Sequence, residues 1–129
     1  MKLLDTSYLV DYERGREDAR SHFQDHADEP QTASTISMFE LAFGVVRDAG
    51  RELDELRESL TWVEFLDFSV EDAIEGARIL AELQEDGTRI PIPEVMIAGV
   101  ARNHGATLVA VDDHFESIEG LPVDRHRSG

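Results

Sequence analysis

The 129-residue chain contains no cysteine and a single lysine, Lys2. Without cysteine there are no disulfides and no thiolate zinc sites. It also lacks any apolar run long enough to span a bilayer. Its opening residues, Met1 to Asp5, reach an acid too early for a secretory signal, so a cytoplasmic protein with no membrane association is expected. No internal repeat, low-complexity tract or linker interrupts the chain. Its length suits one domain, residues 1–129, with about 124–129 as a flexible tail.

Basic residues are scarce in general. Lys+Arg total 12 against 28 Asp+Glu, a formal net charge of −16. An acidic surface normally repels nucleic acid. A basic partner, bound cations or a salty cytoplasm would each account for it. The acids are spread over the whole chain, and arginine almost wholly replaces lysine, which favours halophilic adaptation. At molar salt the Debye length falls to about 3 Å, so surface repulsion is largely screened. Acidity then argues less strongly against a nucleic-acid substrate.

What the sequence does have is 41% hydrophobic residues in alternating short runs. Lys2 to Leu4, Thr32 to Ile36, Val63 to Phe68 and Thr107 to Val111 read as strands. A further short edge strand is expected around Val123. Between them lie helical stretches: Ser7 to Glu13, Glu17 to His26, one from Ser37 through Val45, Glu52 to Leu60, one from Ser69 to Asp86, and one opening at Ile90-Pro-Ile-Pro-Glu94 and ending at His104-Gly105. Ser37 with Glu40, and Ser69 with Asp72, have capping-box spacing. Strands alternating with helices predict an α/β fold, three layers with a mostly parallel central sheet. Such sheets bind ligands beyond the carboxyl ends of their strands.

Four acids occupy positions that this rule singles out. Asp5 ends the first strand and Asp112 the fourth. Glu40 lies between Phe39 and Leu41, and Glu94 opens an otherwise apolar helix. An acid in apolar surroundings is costly to bury unless it is paired or bound to a metal. Converging carboxylates without matching cations would repel one another, and a hard divalent cation such as Mg²⁺ or Mn²⁺ resolves that conflict through oxygen ligands. Each acid alone also has an ordinary reading: Asp5 as a strand end, Glu40 and Glu94 as charges near helix N-termini, Asp112 and Asp113 as turn residues.

Four segments together resemble a known family. Leu3-Leu-Asp-Thr-Ser-Tyr-Leu-Val-Asp11 looks like the opening motif of PIN domains, specifically the VapC-type toxins of toxin–antitoxin pairs. Ser37-Met-Phe-Glu-Leu-Ala-Phe-Gly44 is similar to the second motif, Ile92-Pro-Glu-Val-Met-Ile-Ala98 to the third, and Ala106-Thr-Leu-Val-Ala-Val-Asp-Asp-His-Phe115 to the fourth. The resemblance covers nearly the whole chain. It implies a PIN-like fold and an Mg²⁺-dependent (or Mn²⁺-dependent) endoribonuclease, the toxin of a type II pair, leaving 5′-phosphate and 3′-hydroxyl ends. Asp5, Glu40, Glu94 and Asp112 would be catalytic acids and metal ligands, with Asp113 a further candidate. Thr6 or Ser7 would supply the family's small hydroxyl beside the first acid. The implied partners are RNA, a cognate antitoxin and a second copy of the chain. Two positions depart from the pattern: the third acid is usually Asp, and Ala110 stands where Thr or Asn is common. A PIN-like binding module that has lost catalysis is the alternative they leave open.

Other chemistry fits less well. A phosphorylated receiver domain needs an acidic pair after the first strand and a lysine after the fifth. A haloacid-dehalogenase-type phosphatase needs Asp where Ser7 stands. His114 adjoins the acid pair and reads as a surface turn histidine. His22, His26, His104 and His126 show no metal-ligand spacing. Arg89 and Arg102 read as surface residues, and Trp62, Phe65 and Phe68 as packing. Phe39, Phe43 and Val46 read equally as core or as an apolar surface for self-association or a partner helix.

Overall fold

The computed structural model describes all residues except Ala49, Asp112, Ser128 and Gly129. Among the described residues the chain runs β1 (Lys2–Leu4), α1 (Thr6–Glu13), α2 (Glu17–Asp25), β2 (Gln31–Ser34), α3 (Thr35–Arg47), α4 (Leu53–Ser59), β3 (Glu64–Leu66), α5 (Val70–Glu85), α6 (Ile92–His104), β4 (Thr107–Ala110), a 3-10 turn (His114–Ser117) and β5 (Val123–Arg125). The five strands form one sheet in the order β3-β2-β1-β4-β5. Every pairing is parallel, with Leu4 opposite Val109 where β1 meets β4. The expected α/β architecture is present, and the sheet is parallel throughout.

Alternation along the central strands builds the layers, because successive side chains point to opposite faces. Leu3 and Leu108 pack with Ile79 and Leu83 of α5 and with Val95, Ile97 and Val100 of α6. Leu4 and Val109 pack with Tyr8, Leu9, Ala19, Leu41, Val45 and Leu56 of α1 to α4. The α5–α6 contact is unusually close: a Cβ on Gly99 would stand 2.7 Å from the Gly76 nitrogen and 2.9 Å from the Asp72 carbonyl oxygen. Ser69 and Asp72 cap α5 reciprocally, as their spacing predicted. Gly105 ends α6 with φ 63°, a left-handed conformation that favours glycine. No helix among the described residues is long and apolar enough to cross a membrane.

Two local expectations change, and one open alternative is decided. The cap of α3 is Ser34, whose side chain accepts from the Ile36 N–H, and not Ser37. β2 therefore ends two residues early, and Glu40 sits in the second turn of α3 instead of at a capping position. Asp124 and Arg125, expected in a flexible tail, complete β5, and His126 beyond them is buried. Phe39, Phe43 and Val46 are 72%, 54% and 70% exposed, so they form a surface and not core. Trp62 packs as expected, 4.4 Å from the Tyr12 ring and 4.9 Å from that of Phe23.

Candidate active site

Parallel pairing sends the end of β1 and the end of β4 to the same side of the sheet. The Asp5 N–H donates to the Val109 carbonyl at 2.9 Å, continuing the pairing past β1. Asp5 is also the N-cap of α1. Its Oδ2 accepts from the Ser7 N–H at 3.2 Å and from the Ser7 hydroxyl at 2.7 Å. Ser7 Oγ in turn accepts from the Val111 N–H at 3.3 Å, tying the start of α1 to the segment after β4. Asp5 is 2% exposed, and its other oxygen, Oδ1, is buried with no hydrogen-bond partner among the described residues.

That burial has an electrostatic consequence. Desolvation pushes the Asp5 pKa up to about 6, against the lowering effect of the Ser7 hydrogen bonds, and the neighbouring Glu94 charge adds to the rise. A buried carboxylate with one uncommitted oxygen, facing a second carboxylate, is a donor set that a hard cation satisfies.

Glu40 reaches the site from α3. The Thr6 hydroxyl donates to Glu40 Oε1 at 2.6 Å and lies 2.9 Å from the Ser37 hydroxyl. Glu94 enters from the first turn of α6, where Pro91 precedes the helix. Asp5, Thr6, Ser7, Glu40 and Glu94 all line one cavity of about 400 Å³, together with Val10, Asp11, Val111 and Arg127. The fourth expected acid, Asp112, lies outside the described residues. Asp113 is exposed and opens the 3-10 turn; it does not line the cavity.

Four side chains at or beside this cavity were not singled out for a role by sequence. His114 Nε2 stands 2.7 Å from Glu94 Oε2, so the turn histidine is a partner of a site acid. Asp11 Oδ2 accepts from His126 Nε2 at 2.9 Å and from Arg127 Nε at 2.7 Å. Burial raises the Asp11 pKa, but these two hydrogen bonds and the charges behind them outweigh it and hold the carboxyl below its ordinary value. The C-terminal segment thus brings an arginine to a cavity otherwise rich in acids. Asp11, the last residue of the first motif, and His114, inside the fourth, offered a signal in the sequence; His126 and Arg127 did not. By contrast, Arg102 is committed away from the site, donating to Glu75, Glu82 and the Glu119 carbonyl.

Comparison with known proteins follows the same line. The PIN domain family model matches residues 2–121, and the chain belongs to that family. Among curated relatives, Ribonuclease VapC5 of Mycobacterium tuberculosis is 30% identical over 122 residues, covering 92% of this chain and 87% of that protein. The tRNA(fMet)-specific endonuclease VapC of Salmonella typhimurium is 32% identical over 94 residues, 70% of this chain and 71% of that one. Among solved structures, the DNA-bound VapBC of Salmonella typhimurium superposes with a TM-score of 0.87 at 25% identity, covering 98% of both chains. VapBC2 of Rickettsia felis, bound to a DNA fragment from its promoter, gives a TM-score of 0.87 at 24% identity over 95% of this chain and 96% of that one.

Proposed function

We propose that this protein is an endoribonuclease that hydrolyses RNA phosphodiester bonds with Mg²⁺ or Mn²⁺ held by Asp5, Glu40, Glu94 and Asp112, and that it is the toxin of a type II toxin–antitoxin pair in the cytoplasm. The observation that carries the reading is the meeting of Asp5, Glu40 and Glu94 in one cavity, where Asp5 Oδ1 is buried without a partner among the described residues. The names of the curated relatives, ribonucleases and a tRNA endonuclease, support the substrate class.

When bound, a divalent cation supplies an activated water and offsets charge developing on the phosphodiester. The protein's own groups prepare the place for it. Ser7 occupies Asp5 Oδ2 with two donors and leaves Oδ1 directed elsewhere. Thr6 fixes the Glu40 carboxylate, and His114 fixes that of Glu94. Such supporting hydrogen bonds orient ligands, and their loss typically costs about 10–100-fold in metal affinity or activity. Arg127, anchored by Asp11, brings positive charge to the cavity where a phosphate would lie. An adjoining cavity of about 530 Å³ shares Thr6, Val10 and Glu40 and continues to Arg14 and Arg51, a path for the RNA backbone on either side of the cut.

Solved neighbours include a toxin–antitoxin complex from Klebsiella pneumoniae and a VapBC toxin–antitoxin member from Mycobacterium tuberculosis, which supports an antitoxin partner here as well. An arginine from its tail can pair with the site carboxylates through two parallel hydrogen bonds. The exposed row Phe39, Phe43 and Val46 on α3 offers an apolar face for a homodimer or for a partner helix. The deciding experiment incubates the purified protein with RNA in Mg²⁺, Mn²⁺ or EDTA. Cleavage is expected only with metal, absent in Asp5→Asn, and suppressed by the co-expressed product of the neighbouring gene. Activity that survives EDTA or Asp5→Asn refutes the site.

A further inference from the structure

A second cluster of metal-ligand side chains lies outside the nuclease cavity, at the junction of α2, β1 and the edge strand β5. His22 and His26 are four residues apart at the end of α2, so they project from the same face. Asp124 comes from the middle of β5. One ligand atom from each of the three falls within 4.8 Å of the others. None of the three lines the cavity shared by Asp5, Glu40 and Glu94. The sequence shows no metal-ligand spacing for these histidines, and the third candidate comes from a strand 102 residues from His22.

The cluster gathers three ligand side chains that their present hydrogen bonds hold close together but not yet on one ion. His26 Nδ1 donates to the His22 carbonyl at 2.8 Å, which leaves Nε2 of the neutral ring as the lone-pair nitrogen. The two rings stack with centroids 4.1 Å apart and planes 22° from parallel, so one ring must swing out of the stack for both to point a nitrogen at one ion. His22 Nε2 lies 2.8 Å from Asp124 Oδ2. Lys2 Nζ approaches the same oxygen at 3.3 Å, placing a cation against the carboxylate. A tetrahedral ion with bonds of about 2.0–2.1 Å holds its ligand atoms roughly 3.3 Å apart, so atoms now up to 4.8 Å apart must close in as the rings reorient on binding. Two imidazoles with one carboxylate suit Zn²⁺ and not Mg²⁺, which prefers all-oxygen coordination.

We propose that His22, His26 and Asp124 form a Zn²⁺ site that fastens β5 to the end of α2. Coordination by His22 Nε2 moves the proton of the neutral ring from Nε2 to Nδ1, and the ion displaces the Lys2 ammonium from Asp124. Fastening matters because the chain continues from β5 directly into His126 and Arg127, which reach Asp11 beside the nuclease cavity.

The test is calorimetric titration of Zn²⁺ into the metal-free full-length protein, with thermal melts. Zn²⁺ is expected to bind and raise the Tm in Asp5→Asn, which disables the other acidic site, as well as in the parent. In the Asp5→Asn background, His26→Gln and Asp124→Asn should each weaken Zn²⁺ at least tenfold and abolish the Tm rise, while melting cooperatively without metal. Lys2→Met should tighten binding several-fold by removing the competing charge. Co²⁺ should give the visible absorption of an imidazole-ligated tetrahedral ion in the parent and lose it in His26→Gln. Zn²⁺ affinity unchanged in His26→Gln and Asp124→Asn, or lost instead in Asp5→Asn, would overturn the proposal.

Discussion

His114 Nε2 lies 2.7 Å from Glu94 Oε2, joining the 3-10 turn after β4 to the first turn of α6. Glu94 is one methylene longer than the Asp that the family resemblance implies at this position. Glu94→Gln is expected to weaken Mg²⁺ binding and RNA cleavage strongly, because the ligand charge is lost. Glu94→Asp should keep much of the activity. His114→Ala should reduce metal affinity by about tenfold, the lower end of what such supporting hydrogen bonds contribute. Mg²⁺ titrations of the three variants separate these outcomes. Unchanged affinity in Glu94→Gln would remove Glu94 from the site and favour a binding module without catalysis.

Asp5 predicts a particular pH dependence of stability. Burial raises its pKa from 3.8 to about 6. Between those values the folded protein holds more protons on Asp5 than the unfolded chain does. In EDTA, the contribution of Asp5 to stability is therefore greatest below about pH 4, falls as pH rises toward 6, and is level above. Asp5→Asn removes the buried charge and should stabilise the protein at pH 7 by on the order of 1–3 kcal/mol while abolishing cleavage. Mg²⁺ should raise the Tm of the parent and not of the variant. A variant that melts below the parent at neutral pH in EDTA would contradict the electrostatic argument.

Salt separates two accounts of the −16 charge. If the acidity is an adaptation to salty cytoplasm, stability and cleavage should both rise as KCl goes from about 0.1 M toward molar levels, because self-repulsion is screened. A nuclease governed by phosphate contacts weakens with added salt instead. Melts and cleavage rates across a KCl series measure both signs. Maximal stability in dilute buffer would return the charge to a basic partner.

Two helical glycines should respond oppositely to alanine. Gly99→Ala places a methyl against the backbone of Gly76 and Asp72, at 2.7 to 2.9 Å. Overpacking costs about 1–3 kcal/mol, which exceeds the helix-propensity gain of up to about 1 kcal/mol, so the Tm should fall. A methyl on Gly44 would meet no described atom of a neighbouring element within 4 Å, so Gly44→Ala should keep the propensity gain and melt higher. Equal melting of the two variants would show that α5 and α6 are not packed this closely.

Much of the fold was legible because its signals are local. Short apolar runs alternating with helical periodicity predicted the parallel α/β layers, and Ser69 with Asp72 marked the start of α5 three residues apart. Of the candidate acids, Asp5 was readable as the end of a strand and Glu94 as the start of a helix. The α3 cap was misread because Ser34 and Ser37 both offer a capping hydroxyl. The choice between them depends on where β2 stops pairing with β1 and β3, which the local pattern does not record.

By itself the sequence determined the class of fold, the order of its elements and the family motifs that carry the acids, since each rests on neighbours within one helix or strand. Only the tertiary structure decided what those acids experience. The burial of Asp5 and its raised pKa come from atoms of several elements closing around one carboxylate. The link from Asp11 to His126 and Arg127 spans 115 and 116 residues. The meeting of His22 with Asp124 spans 102. Strand order sets these partners: β5 pairs with β4 at the sheet edge, and the chain leaving it passes α1 and α2. No periodicity records that placement, because contact across the sheet depends on how the crossovers stack and not on spacing along the chain.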